Sequence, residues 1–209
     1  MLDQPSRGAG YRVNVDAFWL ARFAAPQHPV EHLYDLGAGV GAVGLSLLCE
    51  GGADHATLIE VDSAAASFAR RNASANGVDD RVEVIEGDVL EIARTRRGEA
   101  SLVVCNPPYV EPGRGRAPSG AARARARMGR LHHFVEAARL VAGRRAKVAF
   151  VYPANEMVTL LEVLRKYGLE AKRLAFVQPS ATAPARVVLV ETQAAKAGGL
   201  VVLPPIVER

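Results

Sequence analysis

The sequence predicts an α/β protein, a doubly wound and mostly parallel sheet of seven strands with helices on both faces. Three observations carry that expectation. Strand-like and helix-like segments alternate from residue 14 to about residue 194. A glycine-rich turn directly follows the first strand. Neither an internal repeat nor a linker long enough to split the chain interrupts the alternation, so residues 1–209 are expected to form one domain.

The elements follow in order. NVDAFWLARFAA (14–25) reads as a helix, with Val15, Phe18, Trp19 and Phe23 at helical spacing. HLYDLG (32–37) is a strand ending at glycines, and VGLSLLCEGG (43–52) is helical. ATLIEVD (56–62) is a strand, and SAAASFARRNASANG (63–77) a helix opening at an N-cap Ser63 and closing at Gly77. RVEVIEGD (81–88) alternates apolar residues as a strand does. SLVVCNPPY (101–109) is a buried strand stopped by two prolines, which cannot extend a ladder. Residues 111–128 then read as an Arg-rich loop, followed by a helix over about 129–142. KVAFVYP (147–153), LAFVQ (174–178) and ARVVLVET (185–192) are strands, with a helix NEMVTLLEVLRKYG (155–168) after the first of them. The closing AGGLVVLPPIVER is too short and too Pro-interrupted to assign.

Composition narrows the class. Residues 113–130 hold Arg114, Arg116, Arg123, Arg125, Arg127 and Arg130 and no acid. Without those six the chain carries 20 bases against 22 acids, so this segment accounts for the whole net charge of +4. Such a segment attracts a polyanion, nucleic acid foremost. An Arg/Ala run also arises from GC-rich coding sequence, so charge alone leaves the partner open. No run of about 18 apolar residues and no apolar signal-peptide core is present, so no membrane span is expected. Two cysteines, Cys49 in a helix core and Cys105 buried at a strand end, exclude a disulfide framework and point to a cytoplasmic location.

In doubly wound sheets ligands bind at the carboxyl ends of the strands. There the sequence has Asp35-Leu36-Gly37-Ala38-Gly39-Val40-Gly41-Ala42-Val43-Gly44. Gly39, Gly41 and Gly44 fit the G-x-G-x-x-G fingerprint, and Glu60 lies 21 residues past Gly39. The pattern suits NAD or S-adenosylmethionine (SAM). Asp35 separates them: a carboxylate here repels a pyrophosphate and attracts the ammonium of a methionine moiety. Glu60 can accept from two ribose hydroxyls, and Asp88 from the adenine amino group. Each of these acids ends a successive strand.

Asn106-Pro107-Pro108-Tyr109 follows the fourth strand. An amino group on an aromatic ring or a carbonyl is a poor nucleophile because its lone pair is delocalised. The Asn106 side-chain carbonyl and the Pro107 main-chain carbonyl can each accept one N–H, drawing the nitrogen toward sp³ geometry. The prolines fix φ and hold those oxygens in place beforehand. Tyr109 offers a face for a base, a stacking contact worth about 1–3 kcal/mol. No general base is needed before attack, since the amine can lose its proton after transfer.

DLGAGVGAVGL, LIEVD, EGDV and NPPY, in this order, resemble motifs I to IV of class I SAM-dependent methyltransferases acting on amino groups. QPSRGAGYRVNVDAFWLARFA is similar to the Q-P-x-x-G-Y-R-x-x-x-D-A-x-x-L-A start of bacterial small-domain methyltransferases, the tRNA(Val) adenine-N6-methyltransferase group in particular. VEPGRGRAP (110–118) and the late ARVVLV fit the same group, so the resemblance covers nearly the whole chain. It implies a Rossmann-like fold, SAM as cofactor, and Asp35, Gly37, Gly39, Glu60 and Asp88 as cofactor contacts. Ala38, Gly41, Val61, Val89 and Asn106 complete the expected cofactor set. Asp16 would cover the methionine end, within a covering segment 1–31. Asn106 to Tyr109 would be the catalytic segment, and Tyr109, Arg114, Arg116, Arg123, Arg125 and Arg127 the substrate contacts.

The substrate expected from that placement is an adenine N6 amino group in structured RNA, tRNA foremost, because the arginines would meet phosphates around a flipped base. The alternatives are a protein glutamine amide, a small molecule, an NAD-dependent oxidoreductase, and an RNA-binding domain without catalysis. His132 and His133 are adjacent and should diverge on a helix; no metal site is expected. Arg12 and Arg186 read as solvated charges, and Trp19 and Phe23 as core or lid.

Overall fold

Strand pairing in the computed structural model, which describes residues 2–4, 15–108, 120–194 and 197–208 (120–127 by backbone alone), follows that alternation. β1 (Val30–Leu36), β2 (Ala53–Glu60), β3 (Val82–Glu86), β4 (Ala100–Cys105) and β5 (Ala142–Pro153) run parallel in the spatial order 3-2-1-4-5. β7 (Val187–Gln193) inserts antiparallel between β5 and β6 (Glu170–Gln178). The chain reverses its direction of winding at β1, which has β2 on one side and β4 on the other.

Among the described residues the expected seven strands become nine. β8 (Val201–Val202) and β9 (Ile206–Val207) each pair in parallel with β6. Pro204 and Pro205 between them have no N–H to give a ladder, so the tail docks as two short pieces.

Helices cover both faces. α1 (Val15–Ala24) and α2 (Ala42–Cys49) pack with Ala73 of α3 (Ser63–Ala75) against Leu33, Leu58, Leu102, Val104 and Leu189. α4 (Val89–Thr95), α5 (Gly120–Val141) and α6 (Met157–Lys166) pack on Leu36, Ile59, Val103, Val148 and Val190. Successive strand residues therefore feed opposite cores, and each fully buried Leu or Val stabilises the fold by about 1.5–3 kcal/mol.

Three local expectations change. Asp62, not Ser63, caps α3, its side chain accepting from the Ala65 N–H at 2.9 Å; an acid there also suits the positive end of the helix dipole. Cys49 is exposed rather than in a helix core, because α2 ends on it and the chain turns away at Glu50 and Gly51. The Arg-rich segment 111–128 is not a loop throughout: α5 begins at Gly120. Ala and Arg are among the best helix formers, and together they outweigh the cost of about 1 kcal/mol for the interior Gly129. Among the described residues, no helix is long and apolar enough to cross a membrane.

Candidate active site

The carboxyl ends of β1 to β4 converge on the glycine turn. Gly37, Gly39 and Gly41 have φ of 70°, 57° and 86°, a region open to glycine at little cost. Gly37 needs glycine twice over, since a Cβ there would lie 2.9 Å from the Phe134 ring of α5. A Cβ on Gly39, by contrast, would meet nothing within 4 Å, so the turn presents bare backbone to open space. Main-chain bonds fix this arrangement: the Gly37 and Ala38 N–H groups donate to the Ile59 carbonyl at 2.9 and 3.0 Å.

Three carboxylates surround the turn. Asp35 is buried, with Oδ2 accepting the Gly44 N–H at 2.8 Å. Burial pushes its carboxyl up to about 7; the Gly44 N–H opposes that rise and the Glu60 charge adds to it. Glu60 accepts from the Gly39 N–H through Oε2 at 2.8 Å and from the Asp62 N–H through Oε1 at 2.9 Å. Asp88 caps α4, with Oδ1 accepting from the Leu90 and Glu91 N–H groups at 2.9 and 3.1 Å. Its carboxyl lies below the ordinary range: burial works against the charge, but the Glu91 N–H, His133 and the Leu90 N–H outweigh it. Val61, 70% exposed, presents an aliphatic side chain just beyond Glu60, whereas Val89 and Ala38 are buried. This set suits SAM: acids for an ammonium and for hydroxyl or amino donors, an open backbone turn and an apolar face.

Asn106 leaves the sheet next to the glycine turn. β1 and β4 pair in register up to Leu36 opposite Cys105, so Gly37 and Asn106 leave the sheet side by side. Pro107 behind it is buried, while Asn106 and Pro108 are half-buried. Cys105 is fully buried, and burial, followed by the Asp35 charge, raises its thiol well above the usual range, so it supplies no nucleophile.

Asp16, at the start of α1, is buried and ion-paired with Arg186, which therefore is not the solvated charge expected of it. Arg186 also donates to Glu208, which accepts from the Trp19 indole N–H at 2.9 Å. This network ties the N-terminal helix to the C-terminal tail. Tyr109, Arg114, Arg116 and Arg12 lie outside the described residues. Arg123, Arg125 and Arg127 fall on the helical backbone of α5.

Two residues escaped the sequence reading. Asn72, fully buried in α3, donates from Nδ2 to the Val40 carbonyl at 2.9 Å and so clamps the glycine turn. A lone amide within an Ala-rich helix was the available signal. His133 was read only for metal spacing; its Nε2 lies 2.9 and 2.8 Å from the two Asp88 oxygens, while His132 turns to the Tyr167 ring. Among the described residues, no cluster of three or more His, Cys, Asp or Glu could hold a metal ion.

Known proteins match this architecture. The family model of the methyltransferase small domain matches residues 17–122. A Vibrio vulnificus protein named tRNA1(Val) (adenine(37)-N6)-methyltransferase is 30% identical over 189 residues, covering 89% of this chain and 77% of its own length. One of the same name from Pectobacterium carotovorum is 36% identical over 104 residues, which span 49% of this chain and 41% of that protein. The crystal structure of a predicted O-methyltransferase from Agrobacterium tumefaciens shares the fold, with a TM-score of 0.73 at 21% identity over 92% of this chain and 86% of that one.

Proposed function

Since the chain belongs to the methyltransferase small-domain family and works as a SAM-dependent methyltransferase, we propose that it methylates the exocyclic N6 amino group of adenine in tRNA. The observation that carries this reading is the register of β1 against β4, which brings Asn106 and Pro107 alongside the glycine turn. The relatives named for tRNA adenine-N6 methylation support the substrate.

Bound SAM supplies an electrophilic methyl group on a sulfonium sulfur. Asp35 would meet the ammonium, Glu60 the ribose hydroxyls and Asp88 the adenine amino group of the cofactor. Asp16 would lie toward the methionine end. The Asn106 side-chain oxygen and the Pro107 carbonyl each accept one N–H of the target amine and turn its lone pair toward the methyl carbon. The cofactor would supply the methyl group for transfer, and the methylated nitrogen would give up its proton to solvent, so the chain needs no general base. Pro108 stiffens the segment, and Tyr109 stacks on the target base. Residues 1–209 act here as one methyltransferase domain.

The arginines hold the RNA. α5 follows β4 and runs back antiparallel to it, reaching the carboxyl edge at His133 and Phe134, and Met128 and Gly129 before them are exposed. From His133 back to Gly120 the helix rises about 20 Å. Arg114, Arg116, Arg123, Arg125 and Arg127 are the proposed contacts to the phosphates around an extruded base.

Incubation with methyl-labelled SAM and total tRNA tests the reading. Label should enter tRNA, and Asn106→Ala should abolish it. Label entering only protein would reject it.

A further inference from the structure

The pairing of His133 with Asp88 has no explanation in helix capping alone. Asp88 Oδ1 already accepts the Leu90 and Glu91 N–H groups, which satisfies the first turn of α4. His133 adds contacts at 2.9 Å to Oδ1 and 2.8 Å to Oδ2 from another helix. A carboxylate only accepts, so Nε2 carries the proton and donates. Both side chains remain about one-third exposed, at 33% and 37%, on the carboxyl edge of the sheet. The Gly87 N–H donates to the Glu60 carbonyl at 3.0 Å, so the Asp88 turn is fixed directly beside the Glu60 end of the site. The next residue of α5, Phe134, lies over Gly37. One turn of α5 thus sets both the glycine turn and Asp88.

We propose that His133 is a positioning residue for cofactor recognition, its Nε2–H orienting Asp88 so that the remaining acceptor lone pair faces the 6-amino group of the cofactor's adenine. This rests on the reading of Asp88 as the adenine acceptor. The imidazole fixes one carboxylate rotamer before ligand arrives, and the carboxylate then receives the amino N–H without having to reorder. A hydrogen bond to a charged acceptor discriminates strongly against a ligand lacking the donor.

Calorimetric titration of the full chain with S-adenosylhomocysteine and with its purine analogue, which lacks the 6-amino group, tests this. Wild type should bind S-adenosylhomocysteine about ten- to a hundredfold tighter than the analogue. His133→Ala should weaken S-adenosylhomocysteine about tenfold, leave the analogue unchanged, and so narrow the preference. His133→Gln, whose amide can donate to the same carboxylate, should restore much of it. Equal weakening of both ligands by His133→Ala, or no change in either, would overturn the proposal, and circular dichroism of each variant verifies folding. Tight wild-type binding without preference would overturn the inference and the role of Asp88 as adenine acceptor, while methyl transfer to tRNA would still stand. Failure of wild type to bind S-adenosylhomocysteine at all would instead overturn the functional reading.

Discussion

The amino edge of the sheet and the β1–β3 part of its carboxyl edge treat acidic residues in opposite ways. At the amino edge carboxylates meet cations: Arg96 pairs with Glu83 at 2.8 Å and with Glu99 at 3.6 Å, and Arg165 with Glu170 at 2.8 Å. Glu191, buried, sits 3.2 Å from Arg173 and 3.8 Å from Lys147. Tyr34 donates to Glu99 at 2.6 Å, and burial together with that bond pushes its phenol up to about 12. At the carboxyl edge from β1 to β3, Asp35, Glu60 and Asp88 are held by main-chain N–H groups, and among the described residues no Lys or Arg pairs with Asp35 or Glu60. Charge matched internally makes structure. Negative charge left unmatched beside an open turn makes a site for a cationic ligand.

The comparison can be broken at either edge. The largest effect is expected at Asn106: Asn106→Ala should lower kcat by about a thousandfold and weaken SAM binding far less, as single-turnover rates and titration would show. A loss of binding as large as the loss of turnover would instead make holding the cofactor the main role of Asn106. Next comes Gly37→Ala, which forces a side chain into φ +70° and to within 2.9 Å of Phe134. It should cost about 2–4 kcal/mol, read as a thermal midpoint lower by roughly 5–15 °C, and weaken SAM binding as well.

At the amino edge, Glu191→Gln should cost about 1–3 kcal/mol of stability while leaving SAM affinity untouched. A change in SAM affinity there would erase the distinction between the edges.

The smallest and most diagnostic effect belongs to Asp35→Asn. Burial raises the Asp35 carboxyl to about 7 from an ordinary 3.8, so the folded state holds its proton more tightly than the unfolded chain. Stability therefore falls as pH rises from about 4 to about 7 and stays reduced above that. Asparagine can still accept the Gly44 N–H and carries no charge, so the variant should melt higher than wild type at pH 8 yet bind SAM about tenfold more weakly. Wild-type SAM affinity should strengthen between about pH 6 and pH 8 as Asp35 ionises, and the variant should lack that slope.

Much of this was legible in the chain because the site lies at strand ends, where glycines, acids and prolines interrupt apolar runs. Gly37, Glu60 and Asn106 announce themselves by that interruption. The Arg-rich segment misled, since its charge suggested solvent and its glycines a loop, while Ala and Arg propensity carried α5 back to Gly120. Cys49 misled as an apolar residue in an apolar helix, and only the turn at Glu50 decides its exposure. Asn72 and His133 act on partners 32 and 45 residues away, and no local pattern encodes such distances. The tail strands depend on an open edge of β6 that only the assembled sheet supplies.

The most direct test is nucleoside mass spectrometry of tRNA treated with the protein and SAM. Carbonyl oxygens gripping an exocyclic amine should yield N6-methyladenosine. A methyl group on the ring nitrogen N1, on carbon or on a ribose oxygen would contradict that account.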